Sequence, residues 1–444
     1  MFQDQPVLYS SQLSLYKYKK NSIEIFLLFI LCALLYLIAE KLLIFNATGH
    51  WLVGKDAYFY FNLGKQYLNG NFDLRWDYYR YGINFNVLIN ALLISMLGDS
   101  ELLVIFFKGI LNIILIGIPF IYICNLNNLF LKKKPYLIFI VFYNPYLFLV
   151  LSRNWKDIYV IFGIILICIV LFYNVNIRKS KYWDWKSNFL LIFALSVISI
   201  IRIHITIIIC VALILSKFNF KNFTNLKLLI IIIICIILVI SLLPSNISYV
   251  FLHNEGKDAK YIPELQVLNY NNWENINLYN KLELLFLRWS NGIIRTILTP
   301  NPIKIFFDYY FDYSNLHKEI HEAISHPYNF IYQTPLAILS TSIYMFLRYL
   351  LVWPIFFGLL FNVYKKNWVE KFGMISFIGI LSLYSIKFMS FDPRYFLMCD
   401  LFLLLSFFFS KQERLLYIKK YQLFMFVFMI GYFFFEIIFD ANLF

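Results

Sequence analysis

Stretches of about twenty apolar residues recur along this chain, separated by short lysine-rich gaps, and about twenty is the length a helix needs to cross lipid hydrocarbon. Candidate spans fall at 23–45, 102–124, 135–152, 158–174, 188–201, 204–216, 226–244, 343–363, 372–389, 395–410 and 421–439. Inside a bilayer no water is available to bond the backbone N–H and C=O groups, so a spanning chain with this pattern is helical. Composition agrees with the pattern. Of 444 residues, 61% are hydrophobic and 14% charged, at a mean hydropathy of +0.69. A soluble domain carries roughly 25% charged residues. A cytosolic enzyme, a disulfide-built secreted scaffold, a disordered chain and a free nucleic-acid-binding module are thereby excluded, because a core cannot hide this much apolar surface from water. The formal net charge of +14 reads as loop charge facing an anionic leaflet, with no nucleic acid as partner.

The positions of the cations set the expected topology. Lys17, Lys19 and Lys20 precede the first span, Lys132 to Lys134 follow the second, and Arg178, Lys179, Lys181 and Lys186 follow the fourth. Lys217, Lys221 and Lys227, then Lys365, Lys366 and Lys371, then Lys411, Arg414, Lys419 and Lys420 mark three further turns. With a cytoplasmic N-terminus, all these gaps fall on the cytoplasmic side, as the positive-inside rule requires. That parity holds when Ile83 to Gly98 lies obliquely or in the interface instead of crossing. Arg202 and His204 sit in the middle of 188–216, so two shorter helices meeting at the outer face are expected there, which keeps charge away from the bilayer centre.

The expectation is an all-α polytopic membrane protein of about 11 transmembrane helices, with interfacial helices in two large outer loops. It divides into a cytoplasmic N-terminus at 1–22, a transmembrane module at 23–244 with a first outer loop at 46–101, a large outer loop at 245–342, and C-terminal transmembrane helices at 343–444. The first apolar stretch is too long for a cleavable signal and reads as a signal anchor. Prolines at 244, 263, 300, 302, 327 and 335 punctuate the second loop. Cys32, Cys124, Cys168, Cys210, Cys235 and Cys399 all lie in or beside spans, read as packing thiols, and show no zinc-site spacing.

Ionisable groups at the outer ends of spans are the informative positions. Asp56, in Gly54-Lys55-Asp56-Ala57-Tyr58, precedes the aromatic run Tyr58 to Phe61, which would hold it at the membrane surface. A carboxylate in such a rim tends to seek a proton, which suits a general base acting on a hydroxyl. Ser152-Arg153-Asn154-Trp155-Lys156-Asp157 puts two cations and an acid in a tight turn, where a phosphate-bearing lipid would find Arg153 and Lys156. A salt-bridged turn anchored by an interfacial Trp would have the same residues. Arg202 with His204, and Asp392-Pro393-Arg394-Tyr395, fall on the same outer face, so four polar clusters from distant parts of the chain share one membrane surface.

Weaker patterns accompany these. His317 and His321, with Glu322 and His326 nearby, have the i, i+4 spacing of a metal pair but lack the His-Glu-x-x-His order, and a solvated helix face is the expected reading. Arg288, Arg295 and Lys304 flank Thr299-Pro300-Asn301-Pro302 and suggest a basic, kinked surface helix touching anionic lipid or a glycan carrier. No glycine-rich phosphate loop or Walker motif is visible, which argues against ATP-driven transport.

The order of features over residues 23–217 resembles the GT-C superfamily of integral membrane glycosyltransferases. Asp56 matches the acid such enzymes carry in the first outer loop. Tyr79-Arg80-Tyr81-Gly82 leading to Leu97-Gly98 is similar to their Tyr-x-x-Gly segment and its following apolar stretch. Asn144-Pro145 followed by Asp157 looks like their second acid after a Pro-containing span, and Arg394-Tyr395 looks like their late Arg-Tyr pair. The Pro-Pro-Gly form of the Tyr-Gly segment, an acid directly after Asp56 and a Trp-Trp-Asp signature are absent.

The resemblance implies transfer of a sugar from a polyprenyl-phosphate donor to a lipid-linked or surface glycan, such as O-antigen or lipopolysaccharide, at the outer face of the cytoplasmic (inner) membrane. Asp56 would deprotonate or orient the acceptor hydroxyl, and direct displacement would invert the anomeric centre. Asp157 would orient a cation or hold the acceptor. Arg153, Lys156, Arg202, His204 and Arg394 would compensate the leaving phosphate. Tyr58, Asp77, Arg80 and Tyr395 would line the substrate site, with Asp77 the other candidate base. Some members of the class use a divalent metal and others do not. The rival readings are an O-antigen polymerase using lipid-linked repeat units, and a lipid or solute transporter, which would place polar groups near mid-membrane.

Overall fold

A computed structural model of the chain describes residues 5–52, 55–74, 81–126, 141–172, 185–217, 277–298, 302, 334–361, 368–387, 393–408 and 415–441. The described residues are mostly helical, with no strand among them. Among them, four helical segments are long and apolar enough to cross a membrane: Ile23–Asn46, Glu101–Cys124, Trp185–Ser216 and Pro335–Leu360. Shorter apolar helices cover Gly82–Leu97, Asp157–Leu171, Tyr395–Phe407 and Tyr421–Phe434. The chain is thus a helical membrane protein, and these segments account for fewer spans than the eleven expected. The candidate span at 226–244 lies outside the described residues.

In chain order the helices are α1 (Gln5–Thr48), α2 (Lys55–Leu68), α3 (Tyr81–Leu97), α4 (Glu101–Leu126), α5 (Pro145–Ser152), α6 (Asp157–Phe172), α7 (Trp185–Lys217) and α8 (Leu278–Leu298). Then come α9 (Pro335–Leu347), a π-helical turn (Arg348–Val352), α10 (Trp353–Phe361), α11 (Trp368–Lys387), α12 (Pro393–Phe408) and α13 (Leu415–Ala441). Two compact units are distinguished, residues 1–201 with 312–340, and residues 202–311 with 341–444.

In the first unit, α1 packs on α4 and α5, and α4 in turn on α6. Phe29, Phe120 and Phe148 build the contact, with the Phe29 ring 4.9 Å from Phe120 and 5.7 Å from Phe148. α2 and α3 form a hairpin around Ala57, Phe61, Leu93, Ile94, Val104 and Ile105. Gly98 ends α3 at φ +77°, a left-handed conformation that costs a side-chain-bearing residue about 1 kcal/mol or more, and its N–H closes on the Ile94 carbonyl at 2.8 Å. The helix expected at Ile83 to Gly98 is present as α3, packed against α2 and α4. At its other end, a Cβ on Gly82 would lie 2.8 Å from the Ile201 carbonyl oxygen, so only glycine lets this strand of the hairpin meet α7 backbone to backbone.

Asn144 and Pro145 start α5. The Asn144 side chain accepts from the Tyr146 N–H at 3.0 Å, and proline at the first position loses no bond the helix needs. Of the span expected at 135–152, residues 141–152 are described and end in this eight-residue helix, and 127–140 lies outside the described residues. Arg153 is extended (φ −93°, ψ 153°) and ends α5, and α6 begins at Asp157, whose acid suits a helix N-terminus.

The break expected within 188–216 is present: α7 is two helices joined by a kink at Arg202, whose φ −150°, ψ 77° is not helical. No proline or glycine stands at that point, and apolar residues continue on both sides, so helix forms again directly after the kink. The span expected at 343–363 begins earlier, at Pro335, where Thr334 caps it by accepting the Ala337 N–H at 3.1 Å.

In the second unit α11 packs against α12 and α8, and α10 against α13. Small residues permit the approach: a Cβ on Gly373 would fall 1.8 Å from Ser406 Oγ, and one on Gly292 would fall 2.5 Å from the Ser385 carbonyl. Of the basic surface helix expected around Arg288, the placement of Arg288 is corrected, and the Arg295 side chain and Lys304 lie outside the described residues. Arg288 is only 4% exposed, on a buried stripe of α8 with Leu285, Gly292 and Thr296, because that stripe packs on α11.

Candidate functional site

The two strongest sequence clusters, Asp56 with its aromatic run and the turn 152–157, are adjacent in the first unit. Asp56 is the second residue of α2; its side chain lies outside the described residues. The carbonyl of the next residue, Ala57, accepts a hydrogen bond from Asn154 Nδ2 at 3.1 Å. One turn further along α2, the Tyr60 ring centroid lies 5.9 Å from Lys156 Nζ, within cation–π range. Tyr58 is half-buried against the α2–α3 core, and Asp157 is buried at the start of α6.

Beneath this turn lies a buried polar seam. Arg153 Nη2 donates to Glu40 Oε1, an ion pair whose side chains are 1% and 0% exposed. Thr334 Oγ1 donates to Glu40 Oε2 at 2.7 Å. Arg153 Nε and Nη1 have no hydrogen-bond partner among the described residues, and Lys41 is buried beside Glu40. Lys108, in α4, donates to Asn86 Oδ1 and Asn154 Oδ1. Asn154 and Asn90 exchange amide bonds, Asn90 Nδ2 donates to the Asn86 carbonyl at 2.7 Å, and Asn112 Nδ2 donates to the Leu151 carbonyl at 3.1 Å. Among the described residues of the first unit, the buried basic side chains are Lys41, Lys108 and Arg153, against the buried acids Glu40 and Asp157. Basic groups and N–H donors thus outnumber acids in this low-dielectric seam, an arrangement suited to compensate an anion.

The second unit holds the other clusters. The Arg202 guanidinium lies 5.1 Å from the Tyr395 ring centroid, Tyr395 stacks on Tyr384 at 4.6 Å, and His204 meets Tyr384 edge-on at 5.9 Å. The non-helical backbone at Arg202 is what interrupts α7 next to this stack. Arg394 is in the first turn of α12, with its side chain outside the described residues, as are Asp77, Arg80 and Asp392 altogether.

Sequence reading missed the charges inside the spans. Arg348, in the π-helical turn, pairs with Asp400 at 2.9 Å, both fully buried. Tyr344 Oη donates to Asp400 Oδ2 at 2.7 Å, and Arg348 Nη1 donates to the Thr296 carbonyl at 3.0 Å. The guanidinium also lies 3.8 Å from the Phe396 ring centroid. Glu40, Lys41, Lys108, Arg348 and Asp400 each interrupt an otherwise apolar stretch, and that interruption was the available signal. Among the described residues, no group of three or more His, Cys, Asp or Glu side chains is placed to hold a metal. The His317 to His326 cluster lies outside them, as does Cys235, and the other five cysteines are free thiols. Comparison with family models, with curated proteins and with solved structures found no match for this chain.

Proposed function

We propose that the chain is a GT-C-like integral membrane glycosyltransferase that moves a sugar from a polyprenyl-phosphate donor to a glycan or glycolipid acceptor, with inversion, at the outer face of the cytoplasmic membrane. The observation that supports it is the junction of α2 with the 152–157 turn. A candidate base on the first turn of a surface hairpin stands one residue from a backbone carbonyl bonded to a turn bearing two cations, above a seam rich in positive charge.

In this reading Asp56 takes the proton of the acceptor hydroxyl as its oxygen attacks the anomeric carbon. The bond from that carbon to the lipid phosphate breaks, and the electron pair leaves with the phosphate. The leaving phosphate needs no proton donor, but its developing charge must be compensated. Arg153 and Lys156 are the cations proposed for this, and Arg202, His204 and Arg394 are the further candidates that the resemblance suggests. Asp157 orients the cations of its turn, Tyr58, Asp77, Arg80 and Tyr395 contact substrate, and the metal requirement is a matter for chelation of active protein. Sugar transfer in proteoliposomes, with candidate polyprenyl-phosphate sugars and extracted glycolipid, tests the proposal. Wild type transfers; Asp56→Asn and Arg153→Met do not.

One observation favours a second reading. Arg348 and Asp400 form an ion pair well inside apolar helices, the placement found along ion and proton pathways of transporters. Both side chains are fully enclosed and tied to three helices, which fits a packing tie better than a pathway. Counterflow of labelled lipid or solute without chemical transfer would favour the transporter.

A further inference from the structure

The buried Lys108 is one of the charged groups that the sequence patterns overlook, and the proposed chemistry gives it no individual role. It sits in the first third of α4, 1% exposed, and its described hydrogen bonds go to side-chain amides, not to a carboxylate. A lysine buried this way is costly unless its Nζ is hydrogen-bonded, and here two amide oxygens supply the bonds. Its surroundings show what the ammonium imposes. Asn86 and Asn154 both turn their amide oxygens toward Nζ. For Asn86 the consequence is an Nδ2 without a partner among the described residues, at 0% exposure, so its amide orientation is set by the lysine against its own bonding preference. For Asn154 the consequence is an Nδ2 directed to the Ala57 carbonyl at 3.1 Å and to Asn90 Oδ1 at 3.1 Å. The same ammonium thus gathers α3, α4 and the 152–157 turn, and the last link of the chain ends on the first turn of α2.

We infer that Lys108 and Asn154 are positioning residues. The ammonium fixes the orientation of the Asn154 amide, and that amide holds the first turn of α2, and with it the residue at 56, against the turn that carries Arg153 and Lys156. The kinetic side of this inference rests on the glycosyltransferase reading, whereas its structural side does not.

Asn154→Asp separates the two links. The new carboxylate still accepts from Lys108, and gives it a counter-ion, but has no N–H to offer the Ala57 carbonyl. Hydrogen exchange of full-length protein in nanodiscs is followed over α2 and, as an internal reference, over the last two turns of α6, together with Tm. Asn154→Asp is expected to exchange about tenfold faster in the first turns of α2, the effect of one ordinary hydrogen bond, with the end of α6 unchanged and Tm lowered by no more than the few degrees one hydrogen bond is worth; around Asn90 α3 loosens too, because its Oδ1 loses the same donor. Lys108→Met does the same in α2, and the double variant is no worse there than Lys108→Met alone, because the two act in series. In transfer assays the same variants lower kcat about tenfold with KM for the donor unchanged. Wild-type exchange in the first turns of α2 in Asn154→Asp overturns the inference, as does a loss spread evenly over α2 and the end of α6, which is the mark of a general packing role. Wild type that transfers no sugar from any donor refutes the glycosyltransferase reading and leaves the exchange result to decide the positioning.

Discussion

Replacing Glu40 by Gln removes one charge from the most enclosed ion pair of the first unit while keeping side-chain volume. The pair has side-chain exposures of 1% for Arg153 and 0% for Glu40, so water cannot take over the lost contact. Breaking a buried pair from one side leaves an uncompensated charge and costs about 3–5 kcal/mol. The Gln oxygen still accepts one bond, from Thr334 or from Arg153, which places the expected loss near the lower figure. At about 2–4 °C per kcal/mol for a unit of this size, Tm falls by roughly 10 °C. The double variant Glu40→Gln with Arg153→Met removes the stranded cation as well and recovers at least half of that loss, because no uncompensated charge of the pair is left buried and the amide keeps Thr334 as a partner. Thermal unfolding in nanodiscs, followed by tryptophan emission, reads both. A Glu40→Gln protein within about 2 °C of wild type, or a double variant that sums the two single losses, would refute the view that this pair is dry and mutually dependent.

Other substitutions probe the remaining joints. Gly82→Ala drives a Cβ into the Ile201 backbone, 2.8 Å from its carbonyl oxygen, and is expected to cost about 1–3 kcal/mol and to loosen the α2–α3 hairpin, read as lowered Tm and faster limited proteolysis of residues 55–97. Tyr344→Phe removes one donor to Asp400 and should cost about 1–2 kcal/mol, whereas Arg348→Met strands the carboxylate and should cost several-fold more in the same unfolding assay. A transporter reading predicts instead that Arg348→Met abolishes movement of its cargo at unchanged Tm.

The fold class was legible because apolar runs of spanning length can satisfy their backbone only as helices. The hairpin end at Leu97-Gly98, the α5 start at Asn144-Pro145 and the α6 start at Asp157 were legible for local reasons: a left-handed glycine, a capping amide and an acid at a helix N-terminus. The break at Arg202 was visible as a polar residue amid apolar ones, but its extent was not, since a single residue's dihedrals depend on what packs around it. Hydropathy averages hid Glu40, Lys41, Lys108, Arg348 and Asp400, because one charge in twenty apolar neighbours barely moves a window. Their pairing across distant helices is a tertiary fact that no local pattern carries. The adjacency of Asp56 and the 152–157 turn was argued from a shared membrane face alone; the Asn154 to Ala57 bond that joins them has no sequence signature.

The central claim is that an acid on the first turn of α2 does base chemistry beside the cationic turn. Transfer of labelled sugar from polyprenyl-phosphate donors to extracted glycolipid, by wild type and by Asp56→Asn of matched folding and yield, tests it most directly. The account predicts transfer by wild type and a loss of at least about a hundredfold in the variant, the usual scale for a lost general base. Equal transfer by both proteins would contradict it and move the base to Asp77 or Asp157.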